Sequence, residues 1–221
     1  MTTECEDIKI VRGGVEHTDQ VLRLLRDSFI PREPICIALG YTWDLFGPPI
    51  TQAMSHILQE GLSFVALNKT NRVVGCRISC KKIVDRNADP EPEYMHITDQ
   101  SEKGQILRFV FESFMKGWTK ELPDANVLME FMFMCVEETY AGKGIAERLV
   151  KRSLELAEQL KVDYVASVAT NWKSQKVFEK LNFTTVKQKN YNEFLDKDGN
   201  EVLKMKDNTT CIKWMVKKIK K

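Results

Sequence analysis

The chain has 221 residues, of which 43% are apolar and 29% are charged, so residues 1–221 can bury a core of their own as a single domain. The 33 basic and 31 acidic residues leave a net charge of +2, which excludes a strong overall field for nucleic acid. No segment approaches the roughly 20 apolar residues of a membrane span, and residues 1–10 contain no signal-peptide run. We therefore expect a cytoplasmic protein without nucleic-acid or membrane partners.

The six cysteines lie far apart and form no Cys-x-x-Cys pair, so neither a zinc site nor a thioredoxin-like redox site is indicated. We expect their thiols to be reduced. The three histidines, His17, His56 and His96, lie outside the segments that carry chemistry. No metal site is predicted.

The first part of the chain predicts one strand followed by helices. Residues 7–14, "DIKIVRGG", alternate apolar and polar side chains before two glycines, which is typical of a strand and a turn. Apolar residues at helical spacing predict helices over residues 21–29 and 52–58. Four prolines make residues 30–49 too irregular for a helix, and the apolar side chains of this segment predict a loop that packs over the protein.

The middle of the chain predicts a hairpin, a helix and a buried strand. Residues 62–68 and 72–83 form the antiparallel hairpin, and the polar, proline-bearing residues 88–99 predict a surface loop. Residues 105–118 have the amphipathic period of a helix. Residues 126–136, "NVLMEFMFMCV", are almost all apolar, as expected for a strand that is buried on both faces.

The last part of the chain predicts a strand-helix-strand unit over residues 127–169, right-handed and with parallel strands. A short helix follows over residues 171–183 and stops near Asn182, a residue type that tolerates the left-handed conformation at a helix end. A final hairpin is predicted within residues 183–219.

Two glycines, Gly142 and Gly144, stand where the buried strand ends and the amphipathic helix of residues 143–160 begins. Unpaired N–H groups at a helix start bind anions, and glycine lets the backbone approach a phosphate. The P-loop pattern is absent, because Lys143 is followed by glycine and isoleucine, and the third small residue of a Rossmann fingerprint is also absent. The turn therefore indicates a phosphate site of another class or a plain strand-to-helix turn.

Two segments resemble the GCN5-related N-acetyltransferase superfamily. In "YAGKGIAERL", Ala141, Gly144 and Ala146 stand at the places of the superfamily's pyrophosphate pattern, Arg/Gln-x-x-Gly-x-Gly/Ala. The following segment resembles its pattern Asn-x-x-Ala-x-x-x-Tyr-x-x-x-Gly-Phe. The corresponding residues here are Asn171, Ser174, Phe178, Asn182 and Phe183. The predicted order of elements agrees with the superfamily over nearly the whole chain.

This resemblance implies an α/β fold with a mixed central sheet of about seven strands flanked by helices, in which the two central parallel strands splay apart. It also implies acetyl-CoA as the acetyl donor, with its pantetheine in the V between those strands and its pyrophosphate on the glycine turn. The cofactor-binding residues that it implies are Met134, Cys135, Val136, Ala141, Gly142, Lys143, Gly144, Ile145, Ala146, Asn171, Ser174 and Phe178.

A third segment, "SFIPREPIC", resembles the Phe…Glu-Pro-Leu segment that follows the first helix in insect arylalkylamine N-acetyltransferases. The later "ATNWKSQKVFEKLNF" is also similar to theirs, with hydroxyl residues four apart at Thr170 and Ser174. The resemblance implies Glu33 as a catalytic residue and Ser174 as the proton donor to the departing thiolate, with Thr170 as its helper.

The acetylation of an amine requires a group that accepts the proton of the amine. A primary alkylamine with a pKa near 10.4 is only about one part in a thousand neutral at pH 7, and only the neutral form attacks a thioester. Glu33 is the candidate general base that accepts the proton, through water. Backbone N–H groups near residues 134–136 are candidates for holding the oxyanion.

The chain departs from the superfamily at two positions. Phe178 stands where a tyrosine is the frequent general acid, and phenylalanine cannot donate a proton, so the acid is left among Ser174, Tyr191 and water. Ala141 stands where arginine or glutamine is usual. That substitution leaves the backbone N–H groups of the turn to bind the pyrophosphate, with Lys143 as the remaining side-chain candidate.

Tyr41, Trp43 and Phe46 follow Glu33 and could either wall the pocket of an arylalkylamine or pack as a lid. Together with the resemblance, the sequence thus predicts an arylalkylamine-type N-acetyltransferase, which transfers acetyl directly to the primary amine of a small, arylalkylamine-like acceptor in a ternary complex, with no protein partner implied. Cys135 leaves a covalent route open, although buried packing is its expected role. The alternatives are a non-aromatic small amine or a protein amine as acceptor, or a catalytically degenerate sensor of acyl-CoA.

Overall fold

The computed structural model describes residues 8–84 and 101–219, so the predicted surface loop at residues 88–99 and His96 lie outside the described residues. The strands are β1 (Lys9–Arg12), β2 (Phe64–Leu67), β3 (Val73–Ile83), β4 (Val127–Val136), β5 (Tyr164–Ala169), β6 (Thr184–Asn190) and β7 (Cys211–Lys218). The helices are α1 (Thr18–Leu24), α2 (Pro34–Leu39), α3 (Trp43–Gln59), α4 (Glu102–Met115), α5 (Ile145–Gln159) and α6 (Trp172–Lys180).

The seven strands form one sheet in the order β1-β2-β3-β4-β5-β7-β6. Neighbouring strands are antiparallel except β4 and β5, which run parallel at the centre of the sheet and are joined through α5. The predicted mixed sheet and its parallel strand-helix-strand unit are therefore confirmed.

Helices cover both faces of the sheet. Apolar side chains of α1, α3 and α4, such as Val21, Met54 and Val110, belong to one buried cluster. Leu149 of α5 and Phe178 of α6 belong to a second cluster on the other face. Side chains of β4 enter both clusters, which explains why the sequence of that strand is almost entirely apolar.

The two parallel strands separate at one end. Backbone pairing of β4 with β5 stops at Glu130 and Ala166, although β4 continues to Val136. A register shift between β3 and β4 lies in the same region, and such bulges bend the strand that carries them. Ser167 of β5 bridges the start of the gap, because its hydroxyl donates a hydrogen bond to the Phe131 carbonyl at 3.0 Å. The predicted V between splayed central strands is confirmed.

Residues 30–49, predicted as an irregular loop, are instead largely helical, and this prediction was wrong. Pro34 is the first residue of α2, where the missing N–H of proline costs no hydrogen bond. Pro48 and Pro49 lie inside α3, of which the predicted helix at residues 52–58 is only the second half. Four of the buried side chains of α3 follow one another at four-residue spacing: Phe46, Ile50, Met54 and Leu58. Packing of this face therefore outweighs the local cost of the prolines.

The closed end of the V is tied together by Asp163, a buried residue that directly precedes β5. Its Oδ2 accepts hydrogen bonds from the backbone N–H groups of Asn126 and Val127 at 2.8 and 2.9 Å. The N–H of Asp163 donates in turn to the Val127 carbonyl at 2.9 Å. These bonds fix the starts of β4 and β5 side by side, so the strands diverge only at their other ends.

Candidate active site

A cleft of about 420 Å³ opens where β4 and β5 separate and extends to the start of α5. Its walls contain all but one of the residues predicted to bind the cofactor. These are Met134, Cys135, Val136, Ala141, Gly142, Gly144, Ile145, Ala146, Asn171, Ser174 and Phe178. Lys143 is the exception, because its Nζ lies 5.3 Å from the centre of the Tyr140 ring in a neighbouring pocket that Lys69 and Arg72 also line.

The glycine turn between β4 and α5 has a backbone conformation that requires glycine at positions 142 and 144. Gly142 and Gly144 have φ angles of +74° and +71°, a left-handed conformation that other residues rarely adopt. A Cβ added to either glycine would meet no heavy atom within 4 Å, so the space beside the turn is open. Gly144 precedes α5, and no side chain of the described residues caps that helix start. Its first N–H groups are thus left for an anion in the cleft.

Glu33 lies where the segment after α1 meets the cleft. Its Oε2 accepts a hydrogen bond from the backbone N–H of Cys36 at 2.6 Å, which caps α2. Only 8% of the residue is exposed, and its Oε1 has no hydrogen-bond partner among the residues that the structure describes. Burial raises the pKa of Glu33 above its ordinary value, while the hydrogen bond from the Cys36 N–H opposes the rise. A buried carboxylate oxygen without a partner is able to accept a proton or a hydrogen bond from a bound molecule.

Arg32 holds this segment against β4. Its Nε donates to the Ser28 carbonyl at 2.6 Å, and its Nη2 donates to the Val136 carbonyl at 2.7 Å. Because Val136 is the last residue of β4, these bonds place Glu33 beside the strand edge that lines the cleft. Arg32 was not among the predicted site residues, although its position next to Glu33 was a usable signal.

A smaller cavity of about 90 Å³ adjoins the cleft, and Glu33 and Thr170 line both. Its walls are mainly apolar and include several phenylalanines: the Phe133 ring meets those of Phe29 and Phe46 edge to face, with centroids 5.5 and 5.8 Å away. Of the three aromatic residues predicted for the acceptor pocket, Phe46 lines this cavity. The other two, Tyr41 and Trp43, pack against Phe46 with ring centroids 6.4 and 5.9 Å from its own, and neither lines the cavity.

The start of α6 brings the predicted hydroxyl groups to the cleft. Ser174 lines it, and its Oγ donates a hydrogen bond to the Asn171 carbonyl at 2.8 Å. The Asn171 side chain caps α6 by accepting from the Lys173 N–H at 2.8 Å. Tyr191 lies behind this segment, where its hydroxyl donates to the Thr170 carbonyl at 2.7 Å. Burial raises the pKa of Tyr191 well above its ordinary value, and the residue does not line the cleft.

Cys135 lines the cleft from β4 and is buried. Burial raises the pKa of its thiol to about 12, although Arg32, whose Nη2 lies 3.8 Å from the sulfur, opposes the rise. Since the thiolate is the nucleophilic form of cysteine, this side chain is poorly suited to carry an acyl group.

Arg77 of β3 is a second charged residue of the cleft that was not among the predicted site residues. It lines the cleft, yet only 1% of the residue is exposed. The signal was available, because Arg77 is the one cation within the otherwise uncharged run at residues 73–80 of a predicted strand. A charged side chain at a strand position that faces the core needs a local reason.

Within residues 8–84 and 101–219, no group of three or more histidine, cysteine or acidic side chains could hold a metal ion. The helices of these same ranges include none that is long and apolar enough to cross a membrane.

Comparisons with known proteins agree with this geometry. Residues 116–192, which include β4, the glycine turn and α6, match a family described as FR47-like protein. Arylalkylamine N-acetyltransferase 2 from Aedes aegypti superposes with a TM-score of 0.85 at 24% identity, over 96% of this chain and 99% of that one. A mosquito arylalkylamine N-acetyltransferase like 5b gives a TM-score of 0.80 at 20% identity, over 96% and 100%.

A further solved structure is that of a polyamine N-acetyltransferase from Drosophila melanogaster, described as catalysing the formation of N-acetylagmatine. It superposes with a TM-score of 0.78 at 19% identity, over 96% of this chain and 100% of that one. The splayed strands, the glycine turn and these likenesses agree with one another. The chain therefore has the fold of the GCN5-related N-acetyltransferases and resembles the insect arylalkylamine N-acetyltransferases.

Proposed function

We propose that this protein is an N-acetyltransferase that moves acetyl from acetyl-CoA directly to the primary amine of a small acceptor. The observation that carries this proposal is the Glu33 carboxylate, which is buried, has an unpartnered oxygen and lies at the junction of the cleft and the aromatic cavity. Such a junction would bring an amine in the cavity to a thioester in the cleft, with a proton acceptor beside both.

Three features of the cleft support acetyl-CoA as the acetyl donor. The open space beside Gly142 and Gly144 would admit the pyrophosphate to the N–H groups at the start of α5, where the helix dipole favours negative charge. Ala141 offers no side-chain donor, so these backbone groups would carry the binding. The pantetheine would lie along residues 134–136, whose edge is free of β5.

In the proposed reaction, Glu33 takes a proton from the protonated amine through water, and the neutral amine attacks the thioester carbonyl. The oxyanion would be held by backbone N–H groups near residues 134–136. The raised pKa of Glu33 supports the role of base, because it brings the carboxyl closer to the operating pH. The high thiol pKa of Cys135 favours direct transfer over a covalent acyl-enzyme. Ser174, with Thr170, remains the proposed donor of a proton to the leaving group.

The aromatic rings of the smaller cavity favour an arylalkylamine as acceptor, because Phe29, Phe46 and Phe133 offer edges and faces to an aromatic ring. A second acceptor class is favoured by Glu130, which is 6% exposed and lines the same cavity as Glu33. A second carboxylate would suit an aliphatic acceptor with cationic groups at both ends, such as agmatine or a polyamine.

The test is thiol release from acetyl-CoA by the purified protein with dopamine, tryptamine, histamine, spermidine and agmatine. Saturable release with dopamine and tryptamine, at kcat/KM about 100-fold or more above that of the aliphatic amines, is the expected result. Preference for agmatine or spermidine would replace the arylalkylamine assignment with the second acceptor class. No release with any amine, while acetyl-CoA still raises the melting temperature, would contradict the proposed activity and support an acyl-CoA sensor.

We expect kcat at saturating acceptor to rise with pH through the pKa of Glu33. The carboxyl group accepts a proton only when it is ionised, and burial raises its pKa above the ordinary 4.5. Activity is therefore present above the raised pKa and lost as pH falls through it. Thiol release measured between about pH 5 and pH 9 checks this. A kcat that stays constant over that range, with the protein folded throughout, argues against Glu33 as the base.

A further inference from the structure

Arg77 is a buried cation whose hydrogen bonding is incomplete. The residue is 1% exposed, and its Nη1 donates to the Phe133 carbonyl at 2.5 Å. Its Cζ lies 3.8 Å from the centre of the Phe131 ring, so the guanidinium stacks on that ring. Within residues 8–84 and 101–219, its Nε and Nη2 have no hydrogen-bond partner. In that part of the chain, two donors of a buried guanidinium therefore have no acceptor, which points to an acceptor supplied by a bound molecule.

The charge of Arg77 persists despite its burial. Burial lowers the pKa of the guanidinium, whereas Cys76 and Cys80 on β3 and Glu130 on β4 raise it. Arginine still keeps its proton at neutral pH, because its unperturbed pKa lies so far above 7. A buried cation is stable only when an opposite charge or hydrogen-bond acceptors compensate it. The Phe133 carbonyl, the Phe131 ring and the charge of Glu130 compensate part of this charge, and an anion in the cleft would compensate the rest.

The location of Arg77 narrows the choice of that acceptor. The Phe131 ring on which it stacks packs against Phe178, with ring centroids 6.3 Å apart, and Arg77 and Phe178 both line the cleft. The backbone carbonyl of Phe131 also accepts a hydrogen bond from the Ser167 hydroxyl, at the point where β4 and β5 separate. The guanidinium therefore lies near the narrow end of the V, beside a phenylalanine that offers no proton to a leaving group.

We propose that the Arg77 guanidinium stabilises the thiolate of coenzyme A as the acyl group leaves it. This inference rests on the proposed function. The amine nitrogen forms a bond to the thioester carbonyl carbon, and the carbon–sulfur bond breaks with its electron pair on sulfur. The protonated amine first loses one proton to Glu33 through water, and Glu33 passes that proton to solvent. After the attack, the nitrogen loses its second proton to the ionised Glu33 by the same route, and Arg77 keeps all its protons. The products of this step are the amide, a thiolate paired with Arg77 and a protonated Glu33. Glu33 returns its proton to solvent, and the thiolate then takes a proton from solvent through Ser174 as coenzyme A departs.

The first test is a pH titration of the thiol in the complex of the wild-type protein with coenzyme A, followed by the ultraviolet absorbance of the thiolate. A free thiol titrates near 8.5 on the cysteine scale. A cation in contact should lower the pKa of the bound thiol by about 1 to 3 pH units. A bound thiol that titrates like free coenzyme A overturns the inference, and this measurement needs no variant.

The second test compares Arg77→Met and Arg77→Lys. The Arg77→Met protein should bind coenzyme A with a thiol pKa close to that of the free molecule, and its kcat should fall about 100-fold, as when one donor to a developing anion is removed. The Arg77→Lys protein keeps a cation and should retain part of the lowered thiol pKa. A lowered thiol pKa that survives Arg77→Met overturns the inference.

The matched control is Arg148→Met. Arg148 also donates one hydrogen bond to a backbone carbonyl, that of Ile8 at 2.8 Å, but it does not line the cleft. Its loss should leave the thiol pKa unchanged. Calorimetry with coenzyme A distinguishes a failure of the proposed function from a failure of this inference alone. If coenzyme A does not bind, the proposed function fails and this inference fails with it, whereas binding with an ordinary thiol pKa overturns the inference alone.

Discussion

Replacing Glu33 with glutamine should lower kcat by about 10²- to 10⁴-fold and leave the affinity for acetyl-CoA unchanged. Glutamine has the shape of glutamate, and its amide oxygen can still accept the hydrogen bond from the Cys36 N–H that caps α2. It cannot accept the proton of the amine. Steady-state thiol release and calorimetric titration with acetyl-CoA measure the two quantities separately.

The control for this variant is Glu121→Gln, an exposed glutamate outside both cavities, which should leave kcat unchanged. Glu33→Gln should also remove the low-pH limb of the kcat profile. If the Glu33→Gln protein keeps full turnover, another group accepts the proton. If neither the Glu33→Gln nor the Glu121→Gln protein turns over any amine, the alternative hypothesis of an acyl-CoA sensor gains support.

Replacing Asp163 with alanine should lower the free energy of unfolding by about 2 to 5 kcal/mol, because two buried backbone N–H groups lose a charged acceptor. These are the N–H groups of Asn126 and Val127, at the point where β4 starts beside β5. The closed end of the V should loosen, and affinity for acetyl-CoA should fall as well. Denaturant unfolding and calorimetry measure the two effects.

Asp198→Ala is the matched control, because Asp198 is an exposed residue in the turn before β7. Its replacement should change stability by less than about 0.5 kcal/mol. Equal stability of the Asp163→Ala and Asp198→Ala proteins would show that the V is held by strand packing rather than by this carboxylate.

The sequence by itself determined the order of the elements around the cleft. The apolar run of β4, the amphipathic period of α5 and the left-handed Gly142 and Gly144 all reflect constraints between residues close together in the chain. Asn182 likewise ends α6 in the left-handed conformation, with a φ of +60°. Periodicity and backbone conformation are local properties, so a single sequence carries them.

Only the tertiary structure decided the features that depend on contacts between residues far apart in the sequence. It continues α3 through Pro48 and Pro49, because the face carrying Phe46 packs against the core. It selects Phe46 over its aromatic neighbours for the small cavity. It also buries Glu33 beside β4 and stacks Arg77 on a ring of another strand. These positions depend on contacts made after the sheet has assembled, and neither residue spacing nor local propensity records them.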